Sequence, residues 1–391
     1  MEQFIYPNEL AQPVIWGVLI AVYPYITGLV AGSFIISSLA YAFGNTRYKK
    51  AGGIAVLLAF TFLLIASLPL IADLKQPDRA YEIFTRPHLI ATPSTPNISP
   101  MAVFGYLLVG YIILMAVEII FLWRADLVEK ANRGGKLKTL WRILALGARE
   151  ISEIMLKRDK KIVTVLAFVG IPLAALFHAY VGFLFGSMKS RVLWATPFMA
   201  VDFLVSAIVS GIALLIIVYY AFASHAGKLD KVVVYGLSGL LAWTLLVDLA
   251  LKGADELYRA YHRTASWPYL HTLKFEVMVS TGVIEFIIGG AVPLVLLLIP
   301  RLRRNIPIVL LSSFLTLLGV LAYRWNMVIG GQIISRTEQG LLWYTMPIFG
   351  KEGLIASLSI LAAGVFIFTI LSWIFPWDGK YATGKAGGEG V

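Results

Sequence analysis

The chain has 391 residues, 59% of them apolar and 14% charged, with a formal net charge of +11 and a mean hydropathy of +0.81. A soluble protein carries about a quarter charged residues, so this composition excludes a soluble globular domain and places the chain among polytopic membrane proteins. The positive balance is read through topology and anionic lipid rather than nucleic acid, and the absence of cysteine excludes disulfides, thiolate-held iron–sulfur clusters and c-type haem in this protein.

The opening MEQFIYPNEL is acidic and lacks a basic n-region, and the apolar run from Val14 to Ala42 is too long for a signal-peptide core, so it is expected to remain as a span. Apolar runs of about 20 residues cross a hydrocarbon layer of about 30 Å. Nine are expected, at residues 13–43, 52–74, 101–123, 161–185, 194–223, 231–252, 270–299, 306–333 and 350–375. They make an all-α polytopic membrane protein of two four-helix halves, residues 13–186 and 194–333, with an additional C-terminal helix at 350–376.

Alternate connections are basic. Arg47, Lys49 and Lys50 follow the first span, and residues 124–160 run from Arg124 to KRDKK. Lys228 and Lys231, then Arg301, Arg303 and Arg304, then Lys380 and Lys385 complete the set. The positive-inside rule therefore puts the N-terminus outside and the C-terminus in the cytoplasm. Residues 124–160 read as amphipathic helices on the inner face, with Leu140, Trp141, Ile143, Leu144 and Leu146 as the apolar side against membrane lipid. The outer connections 75–100, 253–269 and 334–349 are long for a compact bundle and suit a docking platform. A faint internal echo pairs TGLVAGSFIIS of the first span with SAIVSGIALLI of the fifth, both rich in small residues.

Topology assigns each polar residue a depth. Asp73, His178, Tyr180, Asp202, Asp248, Glu276 and Arg324 all fall toward the outer ends of their spans. Each alone has a bland explanation: a satisfied interior histidine, an interfacial tyrosine, a structural ion pair. Their coincidence in one layer points to a site. Arg324 stays cationic and is expected to face a carboxylate, Asp73 or Asp248. Glu285 near mid-span and Glu118 toward the inner side extend the series into stepping stones for protons, or serve as structural ties.

A haem b needs facing histidines, and only His178 and His271 lie at membrane depth. A quinone fits better, because its carbonyls need donors, its reduction needs a proton carrier, and its tail needs an apolar slot. His178, Tyr180, Asp73 and Arg324 supply the polar part. A secondary transporter, with its site at the midplane, and a purely structural anchor are the alternatives.

Five blocks carry a family resemblance: YPYITGLVAGSF (23–34); ADLKQPDR (72–79) with SPM (99–101); AYVGFLFG (179–186) followed by LWATPFMAVDFLVSAIVSG (193–211); GGAVPLVLL (289–297); and YRWNMVIGGQ (323–332). Together they resemble the NrfD/PsrC family, the integral membrane subunits of polysulfide-reductase-type respiratory complexes. The resemblance implies a quinone site, with menaquinone as the expected quinone, at the outer face of a prokaryotic cytoplasmic membrane, and no haem or iron–sulfur cluster in this protein. It implies electron exchange with a ferredoxin-like iron–sulfur subunit docked outside and with further catalytic or cytochrome subunits. Asp73, Arg79, Tyr180 and Arg324 match motif positions. Tyr23 stands where the polysulfide reductase subunit has a quinone-contacting histidine, a function that His178 takes over. Lys75 and Val181 depart from the family's Gly and Thr. The nine-span count is closer to the longer hydrogenase-, sulfite-reduction- and alternative-complex-type members. The expected quinone contacts are Tyr23, Asp73, His178, Tyr180 and Arg324, with His178 and Asp73 active in turnover. A proton path would use Glu118, Glu285, Asp248, Asp202 and Glu276.

Overall fold

The computed structural model describes residues 14–93, 97–262, 279–337 and 340–379. Among them nine helices are long and apolar enough to cross a membrane. They are α1 Val18–Tyr41, α2 Thr46–Asp73, α3 Pro100–Asn132, α4 Glu153–Gly186, α5 Met199–His225, α6 Lys231–Tyr261, α7 Val279–Leu298, α8 Ile306–Ile333 and α9 Leu354–Ile374. The fold is an all-α polytopic bundle. The side on which α1 begins is called the near face, and the opposite side the far face.

Helix starts follow local chemistry. The side chains of Asn45, Ser99 and Ser152 cap α2, α3 and α4 by accepting from the backbone N–H of Arg47, Ala102 and Met155. Pro100 occupies the first helical position of α3, where a missing N–H does no harm. Gly44, at φ +65°, makes the left-handed turn between α1 and α2.

Two spans are longer than the hydropathy signal. α3 has 33 residues and α4 has 34, about 50 Å each at 1.5 Å per residue, so both project beyond the hydrocarbon layer. The expected 124–160 connection shrinks to residues 133–152, which hold a short helix, Lys138–Leu144. The reason is pairing: Arg124 of α3 donates to Asp159 of α4 at 3.1 Å and both are buried, so charges that read as loop lie inside a helix contact. On the short helix Trp141 turns inward, while Leu140 and Ile143, and Leu146 just beyond it, are exposed. α6 likewise continues past residue 252, its expected end.

α1 is the central span, packed by α2, α4, α5 and α8. The two spans that share the small-residue echo pack on each other. A Cβ added at Gly32 would sit 2.0 Å from Ala207 O, and one at Gly211 would sit 2.4 Å from Gly32 C. Only glycine permits that approach. A second seam joins α7 to α8, where a Cβ on Gly289 would fall 2.2 Å from the Gly319 Cα. Both helices of this seam depart from α geometry. α7 is π-helical over Val279–Ala291, and α8 has a π segment at Asn326–Gly330. α9 packs on α2 and α1. At the far face its end is tied down: Trp123 Nε1 donates to Pro376 O at 2.7 Å, Lys130 Nζ donates to Trp373 O and Ile374 O, and Lys228 pairs with Asp378.

Candidate functional site

α4 and α8 bring His178 and Arg324 together near the near face. Both side chains are fully buried. Arg324 Nη2 lies 3.2 Å from His178 Nε2 and donates to Ser206 Oγ at 2.6 Å and Phe203 O at 3.2 Å, both on α5. A guanidinium has no acceptor, so His178 Nε2 must present its lone pair and the ring proton must sit on Nδ1. The guanidinium lies 4.0 Å over the Phe203 ring, which also stacks on His178 with centroids 5.8 Å apart. Gly28 of α1 packs against the imidazole; a Cβ there would be 3.3 Å from His178 Cε1. Several buried donors lack any partner: His178 Nδ1, Arg324 Nε and Nη1, and the Tyr23 hydroxyl.

Beside this pair lies a residue that the sequence reading passed over. Lys252 of α6 is buried and pairs with Asp248 at 2.9 Å and Glu285 of α7 at 3.4 Å. Glu285 also accepts from Asn326 Nδ2 at 2.8 Å, and Asn326 Oδ1 accepts from Ser280 at 2.6 Å. The series Ser280–Asn326–Glu285–Lys252–Asp248 thus stitches the two π-helical segments to α6. Lys252 Nζ lies 4.2 Å from the centroid of the Tyr323 ring, and Arg324 lies 5.0 Å from the same centroid. One aromatic ring therefore touches both cations. Lys252 sat at the expected end of its span, where a lysine reads as loop. The signal that could have found it is its spacing of four residues from Asp248, which places both on one helical face.

Asp73 is elsewhere. It ends α2 at the near face, half-buried, beside the Lys75–Glu352 ion pair of 2.8 Å that links the 74–99 connection to the segment before α9. The expected Asp73–Arg324 pair does not form. α2 ends against α1 and α9, whereas Arg324 turns inward to α4 and α5. No described carboxylate is within ion-pair distance of Arg324; its near neighbours are His178, Ser206, and the Phe203 and Tyr323 rings. Tyr180 is two residues from His178, so it points to another face of α4 and donates to Pro100 O at 3.1 Å. Arg79 is exposed and forms a two-point ion pair with Glu82. Glu118 is fully buried toward the far half, with neither carboxylate oxygen partnered. Asp202 is buried on α5, one turn before Ser206. Glu276 and His271 lie outside the described residues.

A cavity of about 220 Å³ opens at the near face, lined by Trp16, Met188, Arg191, Trp194, Gln332 and Arg336. It is smaller than the roughly 300–1,000 Å³ of pockets that enclose drug-sized ligands. None of the expected site residues lines it. Ring contacts join it to the buried pair: Trp194 meets Phe185 at 5.2 Å, Phe185 meets Phe203 at 5.8 Å, and Phe203 meets His178.

The fold and this cluster define a class: a polytopic membrane protein with polar groups converging beneath one face. Comparison with known proteins gives the family. The family model described as "Polysulphide reductase, NrfD" matches residues 7–335, and the chain belongs to that family. α9 lies beyond the matched residues. The protein is 27% identical over 381 residues to a tetrathionate reductase subunit of Archaeoglobus fulgidus, an alignment that spans 96% of this sequence and 97% of the relative. It is 30% identical over 325 residues to a selenate reductase subunit of Mesobacillus selenatarsenatis (80% and 73%). It is 26% identical over 339 residues to a polysulfide reductase subunit of Wolinella succinogenes (83% and 96%).

Proposed function

We propose that this protein is the quinone-reactive membrane subunit of a respiratory oxidoreductase complex, exchanging electrons between the menaquinone pool and an iron–sulfur subunit docked on the near face, with that face outside. The family membership supports a membrane role within a reductase complex. The observation that carries the quinone reading is the set of buried, partnerless donors at His178 Nδ1, Arg324 Nε and Nη1, and Tyr23. Buried donors without acceptors are rare, and quinone carbonyls are acceptors, so the residues present fit the group.

When bound, a quinone supplies two-electron, two-proton chemistry. The protein's own residues orient and exchange protons. Arg324, held over Phe203, fixes His178 in the tautomer with a donor at Nδ1. His178 Nδ1–H is the donor placed to hydrogen-bond a quinone carbonyl, and proton exchange by His178 requires Arg324 to release Nε2 so that the ring can take up a second proton. The 220 Å³ cavity at the near face is separated from His178 by the packed Trp194, Phe185 and Phe203 rings, which would have to shift for a headgroup to reach it. In the same reading the buried acids of α5–α8, and then Glu118, serve proton movement across the bundle.

The test is quinone-coupled turnover of the intact complex carrying His178→Ala. A loss of about a hundredfold or more is expected, in the range for removing a general acid–base group, with all subunits still co-purifying. Turnover within about twofold of wild type would refute the site.

A further inference from the structure

The near-face halves of α5–α8 bury four carboxylates, Asp202, Asp248, Asp255 and Glu285, against three cations, Lys252, Arg259 and Arg324. Three of the acids have ion-pair partners: Lys252 holds Asp248 and Glu285, and Arg259 holds Asp255 at 2.8 Å. Asp255 is further fixed by Thr196, whose hydroxyl donates to it at 2.5 Å. Both oxygens of Glu285 are occupied, one by Lys252 and one by Asn326. Asp202 differs from all three. It is 4% exposed, its Oδ1 has no hydrogen-bond partner, and it forms no ion pair among the described residues.

An unpaired carboxylate in a low-dielectric interior is far more costly than a neutral carboxylic acid. The cluster can hold three negative charges against its three cations; the fourth acid is left to bind a proton. The charges acting on Asp202 come from α6, as Asp248, Lys252, Asp255 and Arg259. Tyr323 of α8 faces the same group, and Arg324 feels Asp202 together with Asp248 and Glu285. Asp202 also shares a face of α5 with Ser206, the residue that holds Arg324, and side chains four apart on a helix lie about 5–6 Å from each other. An acid without a cation thus lies one turn from a cation without an acid, and the Nε and Nη1 of Arg324 are free of partners.

We infer that Asp202 is the proton-binding group of this cluster: it holds a proton while Arg324 engages His178 and Ser206, and on losing that proton it competes with them for Arg324 or Lys252. Lys252, Asp248 and Glu285 are then the paired charges that position it, held to one another by ion pairs. The switch needs no other reactant, since only a proton leaves or arrives. Its coupling to turnover rests on the quinone reading, whereas proton binding by Asp202 does not.

The experiment is an infrared pH titration of the intact complex in lipid nanodiscs without added quinone, comparing wild type with Asp202→Asn, Asp248→Asn and Glu285→Gln. A carboxyl C=O signal that responds to pH is expected in wild type, Asp248→Asn and Glu285→Gln, and its loss is expected in Asp202→Asn alone. Asp202→Glu should restore the signal at a shifted frequency, which decides the matter even if Asp202→Asn fails to assemble. The proposal is overturned if the signal survives in Asp202→Asn, if it is lost instead with Asp248 or Glu285, or if wild type shows none. In the turnover arm, Asp202→Asn should lower quinone-coupled activity at least about tenfold and flatten its pH profile, a loss within the range for an acid–base group. A wild-type complex that does not react with a menaquinol analogue would sink the quinone reading and leave the titration to judge Asp202.

Discussion

Apart from the Arg124–Asp159 pair of α3 and α4, the two sides of the bundle bury polar groups in opposite ways. Among α1–α4, Glu118, Tyr111 and Tyr23 each sit in apolar surroundings with side-chain oxygens that meet no partner. Among α5–α8, polar groups are linked in series, from Ser280 through Asn326, Glu285 and Lys252 to Asp248. An isolated buried acid and a compensated one respond differently to perturbation, because removing one member of a pair strands the other. His178 stands at the junction: it belongs to α4 but is held by Arg324 of α8. The contrast says that the paired groups of α5–α8 carry fixed charge, while unpaired acids such as Asp202 of α5 and Glu118 of α3 can change protonation without breaking a bond.

The largest effect should come from the linked side. Lys252→Met leaves Asp248 and Glu285 without their shared cation, and breaking a buried ion pair in this way costs about 3–5 kcal/mol. The complex should lose thermal stability or fail to assemble, as read by subunit co-purification. Full assembly at the wild-type melting temperature would erase the distinction between the two sides. Next comes the seam between them. Gly211→Val forces a side chain into the Gly32 backbone, an overpacking cost of about 1–3 kcal/mol, visible as earlier unfolding in detergent. On the isolated side, Glu118→Gln strands nothing and should leave stability and electron transfer unchanged while lowering the proton-to-electron ratio in proteoliposomes. A ratio equal to wild type would remove Glu118 from proton movement. The smallest effect belongs to the surface. Lys50 donates to Asp230 at 2.6 Å and holds that carboxyl below its usual range. A lowered carboxyl contributes stability above its unfolded pKa and loses it as pH falls through the folded one. Lys50→Ala should therefore cost no more than about 0.5 kcal/mol at neutral pH and nothing in strong acid.

The spans were legible because a bilayer demands long apolar helices. Helix ends were less so. Arg124, Asp159 and Lys252 read as connection because a charge is indistinguishable from loop until its partner is known, and the partners lie on other helices. Asp73 and Arg324 shared a predicted depth, but depth says nothing about direction around an axis, and the two side chains turn to different neighbours. Tyr180 failed for the same reason within one helix: two residues from His178 means another face. Asn326 went unnoticed because a π segment shifts the facing of side chains in a way that no apolar periodicity announces.

That widened geometry bears on how such a cluster can arise or be lost. A π segment holds one more residue per turn than the ladder around it, so deleting a single residue between Asn326 and Gly330 would return α8 to regular winding. Because the wide turn already takes up the extra residue, the helix beyond the deletion would keep its facing and Gln332 its two hydrogen bonds to the Trp16 backbone, whereas residues inside the segment, Asn326 first, would be re-aimed away from Glu285. No point substitution does this. Variants one residue longer or shorter here are therefore the ones to compare.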